Sequence, residues 1–192
     1  MINSSDITVA IPSIPPRANL LHRATESVRN QTLPAHRMSI SVDTQHLGAA
    51  ATRADALAGV DTAWTAFLDD DDEFLSTHLA ELAAHAEETS ADFVYSWFDT
   101  VPYGADPFPS FFMTDPWDPM SPRHTTITVM VRTELAKQVG FNLAASNDVN
   151  ANEDWLFILG CNDLGKISHL CNRKTWLWHH DSGNTSGLGS RW

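Results

Sequence analysis

Between Ile7 and Phe98 the chain alternates apolar runs of strand length with stretches of helical period, and this alternation constrains the fold more than any other feature. The runs are "ITVAI" (Ile7–Ile11), "MSISV" (Met38–Val42), "WTAFL" (Trp64–Leu68) and "DFVYSWF", each short, apolar and rich in β-branched or aromatic residues. The first intervening stretch is "NLLHRATESVRNQT", where Leu20, Leu21, Ala24 and Val28 share one helical face and Asn19 is placed to cap. The alanine-rich "GAAATRADALAGV" and "LSTHLAELAAHAEET", with Ser76 as a candidate cap, supply two more helices. Strands that alternate with helices predict an α/β fold with a mostly parallel central sheet flanked by helices. Such sheets bind ligands beyond the C-terminal ends of their strands. Pro12, Asp43 and the aspartates from Asp69 all follow strand ends, so they are expected to meet on one edge.

The period is lost after residue 100. "TVPYGADPFPSFFMTDPWDPMSPRH" is rich in proline and aromatic residues, and a long irregular loop in a compact domain is commonly functional or mobile. "TTITVMV" (Thr125–Val131) predicts a further strand and "RTELAKQV" a short helix. "NEDWLFILGCND" predicts a helix, "KISHL" and "TWLWHH" two strands, and "DSGNTSGLGSRW" a flexible glycine- and serine-rich tail. No repeat or linker divides the 192 residues, so one domain is expected.

The acidic run in "WTAFLDDDDEF" (Trp64–Phe74) is the candidate functional feature. Adjacent carboxylates repel and raise one another's pKa, so such a run is either solvated surface or the grip on a cation. It abuts a strand expected to be buried, falls on the ligand edge and contains D-x-D, which favours the cation. Hard cations such as Mn²⁺ or Mg²⁺ take oxygen ligands, commonly one or two carboxylates plus substrate phosphates.

Composition narrows the partners. A formal charge of -12, from 24 acidic and 12 basic residues, provides no basic field for nucleic acid or anionic membrane. Cys161 and Cys171 form no C-x-x-C motif and read as free thiols. No apolar run approaches the ~18 residues of a membrane span, and the first residues lack a signal-peptide pattern. The expected location is cytoplasmic.

"ITVAIPSIPPR", "SVRNQTLPAH", "SISVD", "ATRADALAG" and "AWTAFLDDDDEF", in that order, resemble the nucleotide-binding half of the inverting, GT-A-fold glycosyltransferases of family 2. Their order and spacing, rather than any single motif, carry the resemblance, which covers residues 7–80 well. It implies a single GT-A domain over residues 1–192: a nucleotide-binding half at 1–99, an acceptor and catalytic half at 100–180, and a tail or lid at 181–192. It implies a metal-dependent, inverting transfer from a nucleoside-diphosphate sugar, with a UDP-sugar as first candidate, to an acceptor hydroxyl on a glycan, protein or small molecule. By the same resemblance Asp43 hydrogen-bonds the base, Pro12, Ser13 and Arg17 line the base and diphosphate pocket, and Arg53 sits near the nucleotide. Asp69 lies by the ribose and Asp71 ligates Mn²⁺ or Mg²⁺, while Asp70 and Asp72 share a register open by one residue. Three departures stand out: Ile14-Pro15 replaces Tyr-Asn, Asp43-Thr44 shortens the usual acidic turn, and Ala54 replaces the Asn after the arginine.

In "NEDWLF" (Asn152–Phe157) the two carboxylates suit a helix N-terminus, with Asn152 as cap, purely through the helix dipole. In the resembling family an E-D pair at this distance supplies the base that takes the acceptor's proton; Asp154 is the candidate and Glu153 its neighbour or substitute. Of the adjacent His179 and His180, strand geometry lets only one face the site, and the resemblance favours His180 as a metal ligand. Trp97, Phe98, Tyr103, Phe108, Phe111, Phe112 and Trp117 are either core or a sugar-stacking wall. Two other readings remain: a nucleotidyltransferase-type phosphoryl-transfer enzyme, or an inactive nucleotide-sugar or glycan-binding module.

Overall fold

The computed structural model describes residues 1–102, 126–141 and 153–179. A seven-stranded sheet runs in the order β2-β1-β3-β6-β5-β7-β4. Its strands are β1 (Ile7–Ser13), β2 (Arg37–Val42), β3 (Trp64–Phe67), β4 (Glu73–Phe74), β5 (Phe93–Val101), β6 (Met130–Arg132) and β7 (Ile167–His179). The helices are α1 (Ala18–Arg29), α2 (Ala49–Ala58), α3 (His78–Thr89), α4 (Thr133–Val139) and α5 (Glu153–Leu164).

β1 pairs in parallel with β2 and β3, and β5 in parallel with β7. Only the short β6 and β4 run the other way. β6, inserted between β3 and β5, pairs antiparallel to both, so β1, β2, β3, β5 and β7 all point in one direction. Their C-terminal ends therefore share one edge, as the alternating sequence predicts. Pro12 is tolerated in the central β1 because pairing to β3 ends at Ala10, leaving only the β2 side to bond.

Alternate residues feed two cores. Val9, Ala66 and Leu68 pack with Val28, Leu79 and Leu82 from α1 and α3. Ala10, Phe67 and Phe93 face the other way, among Leu57 of α2, Leu135 of α4 and Phe157 of α5. With both faces covered, β3 is buried throughout and β1 at every residue but Pro12, which is why they read as largely apolar runs.

Several local expectations change. Neither Asn19 nor Ser76 caps a helix: α1 starts after Arg17 and α3 after Thr77, with no side-chain cap bond at either. The two expected C-terminal strands are one strand, β7, interrupted by a register shift opposite Ser96 and Trp97. The strand expected over Thr125–Val131 shortens to Met130–Arg132. β4 was hidden within the acidic run, because a two-residue strand leaves no periodicity. Trp97 and Phe98 are core residues of β5, each 2% exposed, which removes them from any sugar-stacking wall. Tyr103, Phe108, Phe111, Phe112 and Trp117 lie outside the described residues. No helix among the described residues is long and apolar enough to cross a membrane.

Candidate functional site

The acidic run leaves β3 beside β1, where the Leu68 amide donates to the Ala10 carbonyl, and reaches the end of β7, where the His179 amide donates to Asp72 Oδ1 at 3.1 Å. It therefore lies along the shared edge of strand ends. The fold sorts its four aspartates. Asp70 turns back to β1, accepting from Ser13 Oγ at 2.7 Å and from Arg17 Nη1 at 2.9 Å. Asp69, Asp71 and Asp72 instead bring one oxygen each within 4.8 Å of one another. Arg17 also reaches Asp71 Oδ2 at 3.3 Å. The fold thus distinguishes four residues alike in sequence: Asp70 bonds to Ser13 and Arg17, while Asp69, Asp71 and Asp72 converge.

These carboxylates are costly to ionise. Burial, with the charge of Asp69 next, pushes Asp71 up to about 6 against the opposing pull of Arg17. Burial, followed by the charges of Asp71 and Asp69, lifts Asp72 well above the ordinary carboxylate range. Asp70 is raised by burial too, though its bonds from Ser13 and Arg17 hold it back. Oxygen donors gathered this closely, with their charge incompletely balanced, fit a hard divalent cation.

Asp43 follows β2 and builds the short loop to α2. Its carboxylate accepts from the amides of Gln45 (3.1 Å), Leu47 (3.0 Å) and Gly48 (2.8 Å). Burial works against ionisation here, but these amide bonds outweigh it and the pKa falls. His46 (φ 58°) and Gly48 (φ 91°) take left-handed backbone to make the loop this tight.

Helix α5 is placed by aromatic packing. Phe157 stacks on Phe141 at 4.4 Å and meets Phe67 edge-on at 5.7 Å. Asp69 lies two residues beyond Phe67, and Glu153 one helical turn before Phe157, so the head of α5 comes to the acidic edge. Arg53 of α2 lies between them, donating from Nη2 to Asp69 Oδ1 at 2.7 Å and from Nη1 to Glu153 Oε1. Glu153 is buried and raised chiefly by burial, with Arg53 opposing. Asp154, partly exposed, accepts from the Trp155 amide at 2.7 Å.

Sequence reasoning missed two contributors to this edge, Arg23 and His179, and one to the scaffold beside it, Gln31. Arg23 of α1 donates to the Asp71 carbonyl at 2.6 Å and pairs with Glu73 at 3.2 Å. The His179 side chain, set aside in favour of its neighbour, meets Glu73 Oε1 at 2.7 Å. Gln31 links α1 to α3, donating to the Ser27 and Leu75 carbonyls and accepting from the Leu79 amide. A hydrophilic residue at the end of an amphipathic helix offers no pattern that singles it out. His180 and Asn152 lie outside the described residues. Cys161 and Cys171 form no disulfide, and burial pushes Cys161 up to about 12.

The sheet of five co-directional strands, with carboxylates gathered at its C-terminal edge, matches the GT-A glycosyltransferase fold. The chain belongs to glycosyl transferase family 2, whose profile matches residues 35–133, just over half its length. No curated protein matches it. Among solved structures, S. aureus TarS 1-349 in complex with UDP-GlcNAc aligns with a TM-score of 0.79 and 16% identity, covering 97% of this chain and 62% of that one. The same fragment in complex with UDP aligns with a TM-score of 0.76 and 17% identity, covering 91% and 60%. A larger S. aureus TarS structure gives a TM-score of 0.76 and 17% identity, covering 91% of this chain and 36% of that one. The chain thus spans less than two thirds of each, and at such identity the likeness is one of fold.

Proposed function

We propose that the chain is the donor-binding and catalytic domain of a metal-dependent, inverting glycosyltransferase that uses a nucleoside-diphosphate sugar, with UDP as the nucleotide. The observation that carries this reading is the convergence of Asp69, Asp71 and Asp72 within 4.8 Å on the strand-end edge of a family 2 fold. The two complexes of TarS with UDP and UDP-GlcNAc support the choice of nucleotide. Those three aspartates would hold Mn²⁺ or Mg²⁺, with His180 as a further candidate ligand. When bound, such an ion supplies positive charge that stabilises a leaving diphosphate.

The chain's own residues divide the remaining work. Residues 1–99 form the nucleotide half: Pro12 and Ser13 shape the floor at the end of β1, Arg17 orders Asp70, and Asp43 shapes the loop that meets the base. Residues 100–180 carry the acceptor and catalytic half, and 181–192 the tail. Asp154 takes the proton of the acceptor hydroxyl as that oxygen bonds to the anomeric carbon. The carbon–oxygen bond to the diphosphate breaks on the opposite face, its electron pair leaving with the nucleotide, so the anomeric centre inverts. Asp154 is preferred as base because Glu153 is occupied by Arg53, whereas Asp154 is partly exposed.

A thermal-shift series with UDP and UDP-GlcNAc, with and without Mn²⁺, tests this. At about a hundredfold excess over Kd the pair of ligands should raise Tm by roughly 5–10 °C, and UDP without metal far less. A Tm indifferent to both would defeat the proposal. Turnover should release nucleoside diphosphate; release of pyrophosphate would mark a nucleotidyltransferase instead.

A further inference from the structure

We infer that Arg53 is a positioning residue that couples the state of the acidic edge to the placement of α5. The inference rests on the reading of that edge as the cation and donor site. Its physical basis is an unequal sharing of one guanidinium. Arg53 is 8% exposed and Glu153 9%, so neither can exchange its partner for water. Nη1 donates to Glu153 Oε1 and Nη2 to Asp69 Oδ1, so each carboxylate holds a single prong of the fork. Glu153 Oε2 is buried with no hydrogen-bond partner.

An arginine fork binds a carboxylate best with two parallel N–H bonds to its two oxygens. Asp69 holds Nη2 to its own side, so the guanidinium presents a single N–H to Glu153, and Arg53 Nε, like Glu153 Oε2, is buried with no hydrogen-bond partner. Once the charge of Asp69 is drawn to a cation, its hold on Nη2 weakens. The guanidinium, no longer held toward Asp69, then turns to offer a second N–H to Glu153 Oε2, which has no other partner. The result is a two-pronged clamp on the first residue of α5, which carries Asp154 next to it. Loading the donor edge would thus tighten the helix that bears the base, and the base would be firmly placed only when there is a donor to react.

Hydrogen exchange across α5, measured on the full chain, tests this. Asp69→Ala removes the competing acceptor without any ligand. It should slow exchange of the α5 amides by about three- to tenfold relative to the parent chain, the scale of one typical hydrogen bond in net terms, since Nη2 gives up one partner as it gains another. Arg53→Met should speed exchange there and abolish the response, so that the double variant matches Arg53→Met alone. If Arg53→Met does not fold, Arg53→Lys serves: it retains the charge but not the fork, and Asp69→Ala placed on it should change nothing in α5. Mn²⁺ with UDP should slow α5 exchange in the parent chain and not in the Arg53 variants. Unchanged or faster α5 exchange in Asp69→Ala, or an undiminished response without the fork, overturns the inference. Failure of the parent chain to bind Mn²⁺ and UDP would instead strike the proposed function, and the ligand-free arm would still decide the coupling.

Discussion

Two buried polar clusters lie a few residues apart, one on each side of β4, and they solve the problem of burial in opposite ways. Before β4, the aspartates crowd together and are driven toward the neutral form. After it, the head of α3 meets Gln31, which follows α1, and His78 meets β7, all without net charge. Gln31 satisfies both ends of its amide, and His78 Nδ1 meets Thr175 Oγ1 at 2.6 Å, which meets Ser96 Oγ at 2.5 Å. His78 stacks on Phe74 at 3.9 Å, and burial drives its pKa down to about 3, so it is neutral in the fold. Hydrogen-bonded neutral groups hold a structure together; closely packed like charges weaken it until something binds them. That contrast separates a scaffold from a site more sharply than burial does, since both clusters are buried.

The contrast can be broken by experiment. The largest effect should come from the site. Asp154→Asn should lower turnover by about 10²–10⁴-fold while leaving UDP and Mn²⁺ binding intact, the usual share of a general base; full turnover would remove Asp154 from that role. Next, Asp71→Asn should abolish the Mn²⁺-dependent thermal shift. It should also raise the ligand-free Tm by about 2–4 °C, because a repelling charge worth about 1 kcal/mol is gone. A lower ligand-free Tm would make Asp71 a structural residue like those beyond β4.

In the scaffold the sign reverses. Gln31→Ala should cost about 2 kcal/mol in denaturant unfolding, since it strands the Leu79 amide and the Leu75 carbonyl, and ligand binding should survive it. The last effect is read as a slope against pH. His78 has a folded pKa near 3 against 6.5 unfolded, so its contribution is complete above pH 6.5 and is lost as pH falls toward 3. Across that window the unfolded chain binds one more proton, worth up to about 1.4 kcal/mol per pH unit. His78→Asn should make the fall of stability between pH 6.5 and 5 shallower; an unchanged slope would assign it to other groups.

Much of the fold was legible because each strand and helix in the first half carries its own period. The bounds of β1, β2, β3 and α2 lie within a residue or two of those expected. Legibility failed where structure came from elsewhere. β4 exists only because β7 passes beside it, and β7 reads as two strands because its irregular middle interrupts the alternation. At the site, residue types were legible and partners were not. Arg53 and Glu153 are a hundred residues apart, and nothing local announces that one guanidinium serves both Glu153 and Asp69.

By itself, the sequence determined the class of fold and the edge at which its carboxylates meet, because strand direction follows from alternating β and α segments and loops at strand ends must gather there. Only the tertiary structure decided which aspartate turns inward, which three face one another, and which of Glu153 and Asp154 is tied to an arginine. Neighbouring identical residues differ in nothing but what packs against them. Their charge, orientation and availability are therefore properties of Ser13, Arg17, Arg53 and β7 as much as of the aspartates themselves.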